Sequence, residues 1–365
     1  MKKVLGFLVA IIAIFALASC ESGSFEIAMI TDTGDIDDGS FNQGTWEGIK
    51  EYAKANKKSH KYYKPGGETT GDYEAAIDLA VSKGAKIIIT PGFYFEVPIF
   101  NVQDKYPEVK FVLLDGSPNN GDFEGDFQAK VGDNTLAIFF KEEQAGFLAG
   151  YAAIKEGFTK LGYMGGIAVP AVQRFGIGWV AGAYQAASEL EITSFEFKAE
   201  HYTYLGSFGP NDEFKTMAAS WFSSGVEVIH AAAGGAGSSV MAAAEDTTGK
   251  WVVGVDSDQA KASETVLSSA TKGVGEAAYK ALEAFYKDEF PGGETWNLGV
   301  DDDSVSLPMT TSRFETFTND DYTALFNKLV NKTYVAPTTA DELETFIKAL
   351  PGFTNVNLDA LKGKI

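Results

Sequence analysis

The sequence predicts an α/β protein built as two open lobes, and three observations carry that expectation. Short apolar runs alternate with amphipathic stretches from Phe25 onward, the rhythm restarts at Leu161, and the segments left over after Asp256 are too few for a third domain. Such alternation marks parallel βαβ units. A length of 365 residues suits roughly two domains of common size.

In the first series, strands are expected at FEIAMI, HKYYK, AKIIIT and KFVLLD, and helices over Phe41 to about Lys57, near Tyr73 to Lys83 and near Val97 to Tyr106. The second series has strands at KLGYMGG, FEFKAEHYTY, VEVIHAAA and WVVGVD, and helices from about Gln173 to Leu190, around Phe214 to Phe222 and near Ser239 to Glu245. Five or so strands are expected before Gly132, and four or so after Leu161. After Asp256 come TVLSSAT, a helix from about Gly273 to Lys287, a strand at LGV and helices from about Asp320 and Asp341. These leftovers must complete existing sheets, so the chain crosses between lobes more than once. Repeated crossings make a hinge. The expected division is 25–133 plus 258–297 for the first lobe and 134–257 plus 298–365 for the second.

Lys and Arg total 30 against 50 Asp and Glu, a net charge of −20, which repels phosphate backbones. Nucleic acid is therefore excluded as a partner. The chain opens with MKK, a short apolar run and Leu17-Ala18-Ser19-Cys20. That is the grammar of an export signal, too short for a membrane span, and its end resembles the bacterial lipobox. Residues 1–19 are expected to be removed and Cys20, the only cysteine, to be acylated, with residues 20–24 as a tether. The folded body would then lie outside the cytoplasmic membrane of a bacterium, held by its lipid anchor.

Three apolar strands end alike, at Asp32, Asp115 and Asp256. In open parallel sheets ligands bind beyond the carboxyl ends of the strands, so these aspartates look like a polar lining. In TDTGDIDDGSFNQG, Ser40 through Gln43 fits a capping box with Ser40 as N-cap, and Asp35, Asp37 and Asp38 serve the loop and the helix dipole. Taking Trp46, Ile49 and Ala53 as the buried stripe leaves Phe41 about a quarter-turn off it, suited to stacking.

Other chemistry finds no pattern. An EF-hand register on Gly39 would put Gly34 first and Thr45 twelfth, and His60, His201 and His230 are scattered, so no metal site is expected. AAAGGAGSSVM opens a helix but lacks both the dinucleotide and P-loop registers. No nucleophile elbow occurs, and no carboxylate pair has a fixed spacing. Neither catalysis nor a cofactor is expected.

The segments TDTGDIDDGSFNQGTWEG, PGFYFEVPIFNVQDKYPEVKFVLLDG, EEQAGFLAGYAA, GYMGGIAVPAVQRFGIGWVAGA, VEVIHAAAGGAG and WVVGVDSDQ, in this order, resemble the basic-membrane-protein family of bacterial lipoproteins. Its members include purine-nucleoside-binding components of ABC transporters. The resemblance implies the type I periplasmic-binding-protein fold, with three crossover segments and a ligand held between the lobes. It further implies a monomer that captures a purine nucleoside (adenosine, guanosine or inosine) and delivers it to a permease with a cytoplasmic ATPase. By position, Phe41 and Phe208 would sandwich the base and Asp115 would read its edge. Asp256, Lys272 and the backbone at Gly234 would clamp the ribose, and Asp32 and Asn42 would lie near base and ribose. Asp258 could exchange roles with Asp256. The alternatives are a surface-displayed adhesin, a binder of another small polar ligand such as a sugar, and an extracytoplasmic nucleoside hydrolase, for which no nucleophilic-water site is found.

Overall fold

The computed structural model describes residues 24–365. The leader and Cys20 lie outside the described residues. The first lobe takes β1 (Ile27–Ile30), α1 (Phe41–Asn56), β2 (His60–Tyr63), α2 (Thr70–Ser82), β3 (Ile87–Pro91), α3 (Glu96–Val102), β4 (Lys110–Leu114) and β5 (Thr135–Phe140). α4 (Glu142–Glu156) leads into the second lobe, with β6 (Leu161–Gly165), α5 (Pro170–Glu189), β7 (Tyr202–Tyr204), α6 (Asp212–Ser223), β8 (Val228–Ala232), α7 (Gly237–Glu245), β9 (Trp251–Asp256) and β10 (Val266–Lys272). The chain returns to the first lobe for α8 (Val274–Tyr286) and β11 (Thr295–Leu298). It finishes on the second with β12 (Val305–Ser306), α9 (Asn319–Val330), α10 (Ala340–Ala349) and α11 (Asp359–Lys362).

Each lobe is one six-stranded sheet, in the orders β2-β1-β3-β4-β5-β11 and β7-β6-β8-β9-β10-β12. Among the described residues, all pairings between these strands are parallel except β12 on β10. The chain changes sheet after β5, after β10 and after β11, which makes three crossovers. Among the described residues no helix is long and apolar enough to cross a membrane.

The sheet pairings move the expected lobe boundaries. β5 pairs with β4, so the first crossing falls after Phe140 and not at 133, while β10 pairs with β9, so the return falls after Lys272 and not at 258. β5 and α4 escaped periodicity analysis because α4 is buried over almost its whole circumference and carries no amphipathic stripe. It packs closely on α5: a Cβ at Gly146 would lie 2.2 Å from the Phe175 carbonyl, and one at Gly182 would lie 2.0 Å from that of Phe147. Only Tyr202–Tyr204 of the expected FEFKAEHYTY strand pairs, because Phe195 and Phe197 turn into the core instead. The strand expected at LGV lies earlier, at Thr295–Leu298.

Candidate ligand-binding cleft

Residues just past the carboxyl ends of strands from both sheets line one cavity with an empty volume of about 710 Å³. That space includes solvent at the open side of the cleft. The first lobe contributes Asp32, Phe41, Asn42, Phe93 and Asp115, and the second contributes Phe175, Phe208, Gly234, Asp256 and Lys272. All eight ligand-contact residues expected from sequence therefore border the same space. Asp258 does not. Its carboxylate accepts from the Thr311 hydroxyl at 2.7 Å and from the Ala260 amide at 3.0 Å.

At one end the polar groups satisfy one another. The Asn42 amide donates to Asp32 Oδ1 at 2.8 Å and to Asp38 Oδ2 at 2.9 Å, and its Oδ1 accepts from the Asp32 amide at 3.3 Å. Asp32 Oδ1 also accepts from the Gly34 amide at 2.8 Å. Both Asn42 donors are thus spent, and Asp32 Oδ2 is the acceptor left for a ligand. Burial, with the charges of Asp38 and Asp256, pushes the Asp32 carboxyl up to about 6, against the hydrogen bonds from Gly34 and Asn42.

The local helix start differs from the capping-box expectation. Ser40 makes no side-chain cap. Asp38 caps instead, accepting from the amides of Ser40 (2.8 Å), Asn42 (3.0 Å) and Gln43 (3.1 Å), while Gln43 Oε1 accepts from the Gly39 amide. A carboxylate takes all three helix-start amides, where a hydroxyl would satisfy one. Phe41 also sits differently. The helix buries Asn42, Thr45, Gly48, Ile49, Tyr52 and Ala53, with Trp46 at the margin against His60 and Tyr62. The stripe is rotated from the expected one, so Phe41 lies at its end, half-packed on the core and half in the cleft.

The other end is an ion network around Lys272. Its ammonium is ion-paired with Asp115, lies 3.3 Å from Glu142 Oε1 and 3.7 Å from Asp256 Oδ1, and is enclosed by the rings of Phe41, Phe140 and Phe175 at 4.6, 5.5 and 5.6 Å. Burial works against this charge, yet the carboxylates of Asp115, Glu142 and Asp256 outweigh it and hold the lysine above its ordinary pKa. Burial pushes Asp115 up to about 7 even beside Lys272, with Glu142 adding to the rise. Asp115 Oδ1 is buried and has no hydrogen-bond partner among the described residues. Burial raises Asp256 as well, against Lys272 and the Ser40 hydroxyl.

Phe208 faces the cleft from the second lobe because Gly166 makes room for it. A Cβ at Gly166 would come within 2.3 Å of the ring, and one at Gly234 (φ +54) within 3.5 Å. Sequence reasoning missed Gly166, Phe93, Phe175, Glu142 and Arg174, whose Nε donates to Glu142 Oε2 at 2.7 Å. The signal for Glu142 was a fourth strand running into an acidic residue, at FFKEE, hidden because β5 itself went unrecognised.

A family comparison decides what class of protein uses this cleft. The model of the Bmp family, described as ABC transporter substrate-binding protein PnrA-like, matches residues 25–340. The chain belongs to the Bmp family. As a Bmp protein it is a substrate-binding component of ABC transport and not an enzyme. Basic membrane protein B of Borreliella burgdorferi is 30% identical over 347 residues, covering 92% of this chain and 95% of the relative. A Lactococcus lactis protein named ABC transporter nucleoside-binding protein BmpA is 29% identical over 329 residues, 80% of this chain and 88% of that one. Among solved structures, an ABC transporter solute-binding protein of Aeropyrum pernix superposes with a TM-score of 0.73 at 22% identity, covering 92% of this chain and 99% of that chain, a likeness of fold.

Proposed function

We propose that this protein is the substrate-binding lipoprotein of an ABC importer, capturing purine nucleosides between its lobes and delivering them to a permease with a cytoplasmic ATPase. The observation that carries the reading is a cavity walled by phenyl rings from both lobes, Phe41 and Phe93 from the first and Phe175 and Phe208 from the second, with two separate polar ends. β1 and β4 stand two strand spacings apart across β3, so Asp32 and Asp115 are separated by roughly 10 Å. That matches the reach from a purine edge to the ribose hydroxyls. The name of the Lactococcus lactis relative supports the same ligand class.

In this reading the base stacks between Phe41 and Phe208 and gives an N–H to Asp32 Oδ2, which Asn42 and Gly34 hold in position. The ribose hydroxyls reach Asp256, Lys272 and the free Oδ1 of Asp115, with the Gly234 backbone alongside. Asp115 leaves the base-edge role implied by family resemblance, because its ion pair with Lys272 draws it to the same end as Asp256. Stacking alone contributes about 0.5–1.5 kcal/mol per ring beyond area burial and does not separate a nucleoside from a free base. Selectivity for the nucleoside rests on the charged end, where a hydrogen bond is worth about 1.5–3 kcal/mol. Closure of the lobes completes both ends at once. The body works as an extracytoplasmic monomer on a bacterial membrane, anchored through acylated Cys20, and the mass of the N-terminal peptide tests that anchor.

Titration calorimetry with adenosine, guanosine, inosine, the free bases and ribose tests the ligand. Nucleosides are expected to bind at least tenfold more tightly than their bases or ribose. A panel without heat would end the nucleoside reading, and tight binding of ribose alone would transfer the site to a sugar.

A further inference from the structure

Beside the cleft, the turn from β1 to α1 touches the second lobe through Ser40, Ser257 and Gln259, which do not line the cavity, and through Asp256, which does. Gln259 Nε2 donates to the Gly39 carbonyl at 2.9 Å, Ser257 Oγ donates to the Ser40 carbonyl at 3.3 Å, and Ser40 Oγ donates to Asp256 Oδ2 at 2.5 Å. Ser40 is fully buried and Gln259 nearly so. The Ser40 hydroxyl is available for this contact because Asp38 caps α1 in its stead. Gln259 is held ready from its own side: its Oε1 accepts from the Val255 backbone amide at 3.2 Å, and its own backbone amide donates to Ser269 Oγ at 3.0 Å. Gly39 turns its carbonyl to Gln259 through a backbone at φ +68, a conformation that favours glycine.

We propose that Ser40 and Gln259 form an interlobe latch: they set the balance between open and closed lobes without touching the ligand, and Ser40 orients the Asp256 carboxylate as the lobes meet. Both are positioning residues. The inference rests on the nucleoside reading only in taking Asp256 as a ligand group, since the contacts themselves are protein to protein. Latch free energy is common to every ligand, so its loss lowers affinity by one factor for all of them and leaves base discrimination, the work of Asp32, unchanged. Apparent affinity scales with the population of the closing-competent state, and a weakened closed state releases its ligand faster.

The test uses Ser40→Ala and Gln259→Glu. The second is isosteric, keeps the Oε1 acceptor for Val255 and replaces the donor facing Gly39 with an oxygen. Spin labels on Phe123→Cys and Met217→Cys, exposed sites on segments that follow the carboxyl ends of β4 and β7, report the lobe separation. Distances are measured ligand-free and at saturating adenosine, alongside calorimetry with adenosine, guanosine and inosine. Each variant is expected to shift the distances toward the longer population. Affinity should fall about tenfold for Ser40→Ala and about fivefold for Gln259→Glu, by the same factor for all three nucleosides. Distances unchanged in both variants, or a loss confined to one base, would overturn the latch. The ligand-free distances make the two ideas separable: a heatless panel with wild-type protein removes the ligand assignment, while a shift in the variants still supports the latch.

Discussion

In the first lobe the fourth strand across the sheet, β4, runs into Asp115; in the second lobe the equivalent strand, β9, ends at Asp256. Both aspartates adopt the left-handed backbone region, at φ +56 and +62, which a short polar side chain tolerates better than most. The equivalent strands β1 and β6 end differently. β1 leads to Asp32, whereas β6 leads to Gly165-Gly166, and the second glycine admits the Phe208 ring. A repeated backbone thus supplies two matching carboxylates, and Lys272 from β10 draws them together across the cleft. The unmatched pair of strand ends places a carboxylate on one side of the cleft and an aromatic ring on the other. The topology repeats, while the side chains at its strand ends match at one pair and differ at the other.

The largest effect should come from removing the cation that joins the matched aspartates. Lys272→Met leaves Asp115, Glu142 and Asp256 facing one another, so nucleoside affinity should fall by at least about 100-fold and stability by about 3–5 kcal/mol, read by calorimetry and denaturant melts. If affinity survived, the matched ends would not be the ligand grip. Next come the rings on opposite walls. Phe41→Ala and Phe208→Ala should each weaken binding by about tenfold for every purine nucleoside, with little change in melting temperature for Phe208→Ala, whose ring is only partly buried.

The pH dependence separates the two ends further. In the proposed complex, donors on base and sugar bind ionised carboxylates more strongly than protonated ones, and burial holds Asp115 at about 7 and Asp32 at about 6. Binding favours the charged forms, so affinity should drop roughly tenfold as pH falls from 8 to 6, with proton release on binding visible as buffer-dependent heat. Lys272, held above its ordinary value, stays charged throughout and does not contribute to the change. The smallest effect belongs to Asp258→Asn. Its carboxylate is engaged by Thr311 outside the cavity, so affinity should stay within about twofold, and a larger loss would reopen the choice between Asp256 and Asp258.

The strand-end aspartates were legible in the sequence because an apolar run closing on a carboxylate has one obvious use in a parallel sheet. Phe41 was legible as a residue at a helix mouth, although the stripe behind it was rotated by the contact of α1 with α8, where a Cβ at Gly48 would meet the Gly275 carbonyl at 2.1 Å. Ser40 was misread because local spacing cannot tell a capping hydroxyl from one drawn off by a carboxylate 216 residues away. Glu142 and Arg174 were invisible for a related reason, since they start or join helices buried on nearly every side, where periodicity vanishes.

By itself, the order of residues determined the α/β class, the two-lobe rhythm, the need for several crossings and the polar lining at strand ends. All of these follow from local alternation and from where charge interrupts it. Only the tertiary structure decided which lobe owns β5 and β10, which oxygens of Asp32 and Asp115 remain free, and that one lysine holds both matched aspartates. Those outcomes depend on pairings and desolvation between segments far apart in the chain.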